Sequence, residues 1–242
     1  SIENCGEVVY EEKKPEEIDV YCLIDRFGYT RIIDTGTYER NRDAVISESR
    51  FAFACKNTGR ICLFTDTGQL YTVKVADLPF GKLRDKGVPL DNVSNFDSAK
   101  ERLLLAAGQS ELNLYRILFI TGQAMAKAVD GGEFDVTKKT VAATRLSPGD
   151  RVVDVTILKD QKNIALQSRD GYFLRFSVEE IPEKKKTAIG VRAMRLAEGD
   201  ELEAVYYDSP GQETSIAYKS RTLTLSQIRA GKRDQKGVKI RG

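Results

Sequence analysis

Short apolar runs recur along this chain, each leading into a polar turn that usually holds a glycine. Residues 61–64, 118–120, 164–166 and 216–218 are such runs. Beyond the turn the pattern alternates, as in Gln69-Leu-Tyr-Thr-Val-Lys-Val75. Two strand-like segments around a short glycine turn predict a β-hairpin, because glycine supplies the backbone conformation that such turns require. After the hairpin comes a stop (Leu78-Pro79, Ile181-Pro182), then a charged loop, a glycine or small residue, and a further strand-like run. Helical periodicity is sparse, and its best segments, 99–105 and 178–181, are both short. This grammar predicts an all-β chain with about four strands per unit.

The units repeat. Arg145-Leu-Ser-Pro-Gly149-Asp150 returns without a gap as Arg195-Leu-Ala-Glu-Gly199-Asp200. Thr65-Asp-Thr-Gly68 through Pro79 matches Ser168-Arg-Asp-Gly171 through Pro182. Expected turns fall at 28, 68, 122, 171 and about 220, giving repeats of 40–54 residues. Five units of that length predict a propeller-like disc of five or six blades. Tryptophan is absent, which excludes WD40 repeats, and Gly131-Gly132 is the single glycine pair, which argues against a kelch ring.

Composition narrows the chemistry. Histidine is absent, so there is no Ser-His-Asp or Cys-His nucleophile and no histidine-ligated zinc. Cys5, Cys22, Cys55 and Cys62 contain no C-x-x-C pair and lie in or beside apolar runs, as expected for reduced, buried thiols of a cytosolic protein. No catalytic residue, metal or cofactor is expected. Asp-Thr-Gly occurs at 34–36 and 66–68, the motif of aspartic proteases. The two copies are too close to come one from each lobe of such an enzyme, and the second coincides with a hairpin turn. No apolar stretch reaches the roughly 20 residues of a membrane helix. The start at Ser1 suggests a fragment of a longer protein.

The net charge is +2, but residues 1–17 hold six Glu against two Lys, so the remainder carries +6. We expect 1–17 to be an acidic surface linker with a short strand at 7–10 that pairs beside the first or last blade, and 18–242 to be the repeat domain. The positive charge gathers in the loop after each hairpin: Arg40 and Arg42; Lys82, Arg84 and Lys86; Lys138 and Lys139; Lys184, Lys185 and Lys186; Lys232, Arg233 and Lys236. Recurrence at one phase of the repeat predicts a basic band around the disc, suited to a rigid polyanion.

The Thr-Asp-x-Gly hairpin, Leu-Pro stop and basic glycine loop resemble the C-terminal domain of the A subunit of bacterial type IIA topoisomerases, DNA gyrase and topoisomerase IV. The resemblance covers 18–242 and is most specific at 64–93 and 171–205. It implies a β-pinwheel whose rim binds and bends duplex DNA. Its implied protein partners are the remainder of the A subunit together with the ATPase B subunit. It also implies a bacterial, cytoplasmic, nucleoid-associated setting and a non-catalytic fragment. Gyrase is marked by a Gln-Arg-Arg-Gly-Gly-Lys-Gly-like box in the first-blade loop. Here Tyr38-Glu-Arg-Asn-Arg42-Asp-Ala-Val45 lacks glycine and carries two acids, which favours a topoisomerase IV-like protein. The alternative is a protein-binding module whose basic loops engage an acidic partner.

Overall fold

The computed structural model describes Gly6 and residues 14–242, so the strand expected at 7–10 and Cys5 lie outside the described residues. The first unit supplies β1 (Asp19–Asp25), β2 (Tyr29–Asp34) and β3 (Ser49–Lys56). The second supplies β4 (Arg60–Thr65), β5 (Gln69–Lys74), β6 (Val88–Pro89) and β7 (Leu103–Gly108). The third supplies β8 (Arg116–Thr121), β9 (Met125–Asp130), β10 (Thr140–Ala142) and β11 (Val152–Leu158). The fourth supplies β12 (Asn163–Ser168), β13 (Tyr172–Ser177), β14 (Val191–Arg192) and β15 (Leu202–Tyr207). The fifth supplies β16 (Ser215–Tyr218), β17 (Arg221–Thr224) and β18 (Val238–Lys239). All five expected turns join hairpin strands, the third and fifth with Ala124 and Lys219 at positive φ.

The second, third and fourth units keep their hairpin and last strand but give their short third strand to the blade before, and the fifth likewise gives β18. The four-stranded antiparallel sheets run β3-β1-β2-β6, β10-β5-β4-β7, β11-β8-β9-β14 and β15-β12-β13-β18. Thus β6, β10, β14 and β18 each edge the preceding blade. Each places a valine at one register: Val88 opposite Thr30, Val141 opposite Leu70, Val191 opposite Ala126 and Val238 opposite Phe173. β3, β7, β11 and β15 touch one another in sequence, so they form the inner edge and the exchanged strands lie at the rim. Among the described residues there are four complete blades, and the fifth is the hairpin β16–β17 alone.

The core lies between blades, which explains why the first hairpin strands read as unbroken apolar runs: both their faces are covered. In β4, Ile61 and Leu63 pack toward the first blade, while Cys62 and Phe64 pack toward the third. Leu118, Ile120, Leu166 and Phe176 fill the next gap, and Phe173, Ile216 and Tyr218 seat the terminal hairpin on the fourth blade. Cys22, Cys55 and Cys62 are buried free thiols whose pKa values burial pushes up to about 12. The repeated Gly-Asp is a turn clamp. Asp150 accepts from the amides of Gln123 and Arg151, and Asp200 from those of Asp170 and Glu201.

Three expectations change. Residues 103–105 belong to β7, and 178–180 is a single 3-10 turn, so neither segment is an α-helix. The two longest described helices form instead at α1 (Thr35–Arg40) and α2 (Arg42–Glu48), where a basic loop was expected. The cause is positional. Among the described residues no blade precedes the first to receive an exchanged strand or to cover its outward face. Val45 and Tyr38 cover that face instead, packing with Leu23, Ile33 and Tyr21, and Tyr38 stacks on Tyr21 at 3.6 Å. A terminal repeat needs such a cap because its apolar face would otherwise meet water.

Candidate nucleic-acid interface

Four of the five basic segments reach the rim, each as the loop that carries a strand back to the preceding blade. The route is built the same way in three of them. In the first blade the Ile32 amide donates to the Pro79 carbonyl at 2.8 Å and the Gly81 amide to the Ile32 carbonyl at 2.9 Å. In the third, Ala128 and Pro182, then Lys184 and Ala128, repeat that pair at 3.0 and 2.9 Å. In the fourth, the Gly231 amide donates to the Arg175 carbonyl at 2.7 Å. The loop closes on Gly87, Gly190 or Gly237, all at positive φ. A Cβ there would stand 2.1, 2.5 or 2.3 Å from the carbonyl oxygen of Thr30, Ala126 or Phe173, so only glycine lets the backbone come this close. The second blade's loop is shorter, and Thr72 fixes it by donating to the Lys138 carbonyl at 2.8 Å.

Lys82, Arg84, Lys86, Lys138, Lys139, Lys184, Lys185, Lys232 and Lys236 are exposed. Among the described residues none of the nine forms an ion pair. Three acids within or beside the loops are engaged internally. Asp85 accepts the Lys82 amide at 2.7 Å, Glu133 accepts the Lys186 amide at 3.1 Å, and Asp234 pairs with Arg192. That pairing lowers the Asp234 carboxyl below its ordinary value, the Arg192 hydrogen bond being the main cause. Lys186 and Arg233 are half-buried and bonded inward, Lys186 Nζ to the Glu133 carbonyl at 3.2 Å and Arg233 Nη1 to the Arg192 carbonyl at 2.9 Å. Arg40 and Arg42 are exposed on the α1–α2 cap and are not carried by an exchanged strand.

Several residues that composition did not mark join this surface. Lys86 Nζ lies 4.4 Å above the Tyr29 ring and Lys236 Nζ 4.8 Å above the Tyr172 ring, at one register of the first and fourth blades. Lys239 also faces Tyr172, at 5.8 Å. Arg195 follows the rim strand β14, and its amide donates to Gln235 in the next loop at 2.9 Å. The signal was present in the repeat, since Arg145 and Arg195 open the same motif. Among the described residues no cluster of Cys, Asp and Glu could hold a metal. The Asp-Thr-Gly carboxylates serve local structure: Asp34 caps α1 through the Thr37 amide at 2.7 Å, and Asp66 accepts the Arg102 amide at 2.8 Å. No described helix is long and apolar enough to cross a membrane.

The family described as "DNA gyrase C-terminal domain, beta-propeller" matches residues 59–95, 115–159 and 162–206, more than half of the chain. The chain belongs to the DNA gyrase C-terminal domain family. It is 31% identical to the gyrase A protein of Rickettsia bellii over 144 residues, 57% of this chain and 16% of that protein. It is 24% identical to the topoisomerase 4 A protein of Streptococcus pneumoniae over 241 residues, 93% of this chain and 29% of that protein. The chain therefore spans less than a third of the length of these relatives. A solved C-terminal domain of DNA topoisomerase IV superposes with a TM-score of 0.79 at 22% identity, covering 94% of this chain and 74% of that one. The E. coli ParC C-terminal domain gives 0.72 at 16% identity, covering 93% and 94%. A DNA gyrase A C-terminal domain gives 0.59 at 15% identity, covering 91% and 76%. Family and fold thus agree with the type IIA topoisomerase β-pinwheel that the repeat motifs implied.

Proposed function

We propose that residues 18–242 are a non-catalytic module that binds and bends duplex DNA for a type IIA topoisomerase, with 1–17 as its acidic linker. The module would present DNA to the strand-passage machinery formed by the rest of the A subunit together with the ATPase B subunit, in the bacterial cytoplasm. One observation carries the reading: four basic loops stand on the rim strands of consecutive blades, with nine exposed cations that form no ion pair with a described acid. Such cations displace condensed counterions from phosphates, a contribution that carries little sequence information. Bending a 20–30 bp segment costs about 1–6 kcal/mol, so contacts must be spread along the curve, and the basic loops are spread around this rim. The α1–α2 cap in place of a glycine-rich first-blade box supports a topoisomerase IV-like role over gyrase-type wrapping.

The test is the dependence of duplex affinity on salt. Each neutralised phosphate contributes about −0.9 to the log–log slope. Lys184→Ala, Lys185→Ala and Lys186→Ala together are expected to make the slope about two units shallower, not three, because Lys186 is bonded inward. The weakening should be equal across DNA sequences, and Arg40→Ala with Arg42→Ala should do less. Unchanged affinity after neutralising both this loop and Lys232 with Lys236 would refute the rim reading and leave an acidic protein partner as the better one.

A further inference from the structure

The third-blade rim loop is held from beneath by a buried cation. Lys127, on β9, is 1% exposed. Its Nζ donates to the carbonyls of Lys185 at 3.0 Å, Lys186 at 3.0 Å and Ala188 at 2.6 Å, and lies 5.7 Å from the Phe119 ring centre. Among the described residues no carboxylate reaches it within ion-pair distance. Glu133, whose field acts on it, has its Oε1 and its carbonyl engaged by Lys186. Burying an ammonium without a carboxylate is costly, so its hydrogen bonds to the loop are what hold it there. The arrangement has a counterpart. Arg31, at the same register of β2, donates Nη2 to the Leu83 carbonyl at 2.7 Å. Leu83 and Lys186 each stand four residues before the closing glycine of their loops.

We infer that Lys127 is a positioning residue for polyanion binding, drawing three loop carbonyls inward and so presenting Lys184 and Lys185 together at the rim. This rests on the DNA-binding reading above. Two physical effects combine. Carbonyl oxygens that would repel a phosphate are turned away from it, and the loop is fixed before binding, so less ordering is lost on contact. Lys127 itself never reaches the surface. A neutral aliphatic side chain of equal length would leave the three carbonyls without this donor.

A double-mutant cycle on the 242-residue chain tests this, with affinity read by anisotropy of a fluorescein-labelled linear duplex at fixed salt. Lys127→Met is expected to weaken binding about five- to tenfold, the scale of a lost charge-assisted contact, while Lys127→Arg stays within about threefold. In the Lys184→Ala/Lys185→Ala background the same Lys127→Met change should cost less than about twofold, because the groups it positions are gone. Equal loss in both backgrounds would mean general destabilisation and would overturn the inference. So would no loss from Lys127→Met when the loop substitutions do weaken binding. Loop substitutions that leave affinity unchanged would instead remove the underlying DNA reading. Should Lys127→Met fail to fold, the unsubstituted chain serves. Burial draws the Lys127 pKa down to about 8 against the opposing charge of Glu133, and the loop faces it with main-chain carbonyls. Affinity should then fall as pH rises from 7 to 9, and less steeply in Lys184→Ala/Lys185→Ala; equal slopes in the two would refute it.

Discussion

Gly87→Ala separates the local geometry of the rim from the stability of the blades. The new Cβ would stand 2.1 Å from the Thr30 carbonyl oxygen and 2.7 Å from its carbon, at a φ of +79°. The left-handed backbone costs about 1–2 kcal/mol for a residue with a Cβ. Forcing a methyl into packed backbone costs about 1–3 kcal/mol more, so a loop that stayed docked would lose about 2–5 kcal/mol. The strand it serves, β6, pairs only Val88 with Thr30 and Pro89 with Tyr29. Each hydrogen bond there contributes about 0.5–1.5 kcal/mol net, so releasing β6 is the cheaper response. Gly199→Ala is the matched control: its φ is +77°, but nothing lies within 4 Å of the added Cβ. Hydrogen–deuterium exchange should show residues 82–88 and the Tyr29–Thr30 edge opening in Gly87→Ala while buried Leu90, β1 and β4 stay protected. Gly199→Ala should lose about 1–2 kcal/mol in urea unfolding with the first blade's edge intact. If Gly87→Ala matches Gly199→Ala in both measurements, close approach to Thr30 is not what holds the rim loop.

Two further outcomes follow from the packing. Glu101 is 9% exposed; burial pushes its carboxyl up, but hydrogen bonds from Thr67, Tyr71 and Thr65 outweigh that and hold it below the ordinary glutamate value of 4.5. Because the folded value is the lower one, its contribution is full above 4.5 and is lost as pH falls through the folded value; Glu101→Gln should flatten that part of the stability–pH curve, and an unchanged curve would count against the cluster. Phe119, 2% exposed, meets Phe64 edge-on at 5.9 Å and Phe134 at 5.8 Å between the second and third blades; Phe119→Ala should cost about 3–5 kcal/mol by urea unfolding, and a loss below about 1 kcal/mol would show that this gap collapses freely.

The sequence by itself determined the hairpins, their period and the phase of the basic loops. Each of these is a local signal: an apolar run, a turn residue, a stop and a lysine cluster at a fixed offset, repeated often enough to exclude chance. It also marked a glycine after the basic loop as part of the motif, the position that Gly87, Gly190 and Gly237 fill. Tertiary structure decided which blade each loop serves, because strand exchange sends β6, β10, β14 and β18 backward and no local pattern says where a two-residue strand will pair. It decided that the first basic segment is a helical cap, since only the assembled array shows which blade face Tyr38 and Val45 cover. It separated exposed Lys184 and Lys185 from inward-bonded Lys186, although the three are one run in the chain. And it found Lys127, one basic residue in an apolar hairpin, whose role comes from carbonyls about sixty positions away that only the folded chain brings within hydrogen-bond reach.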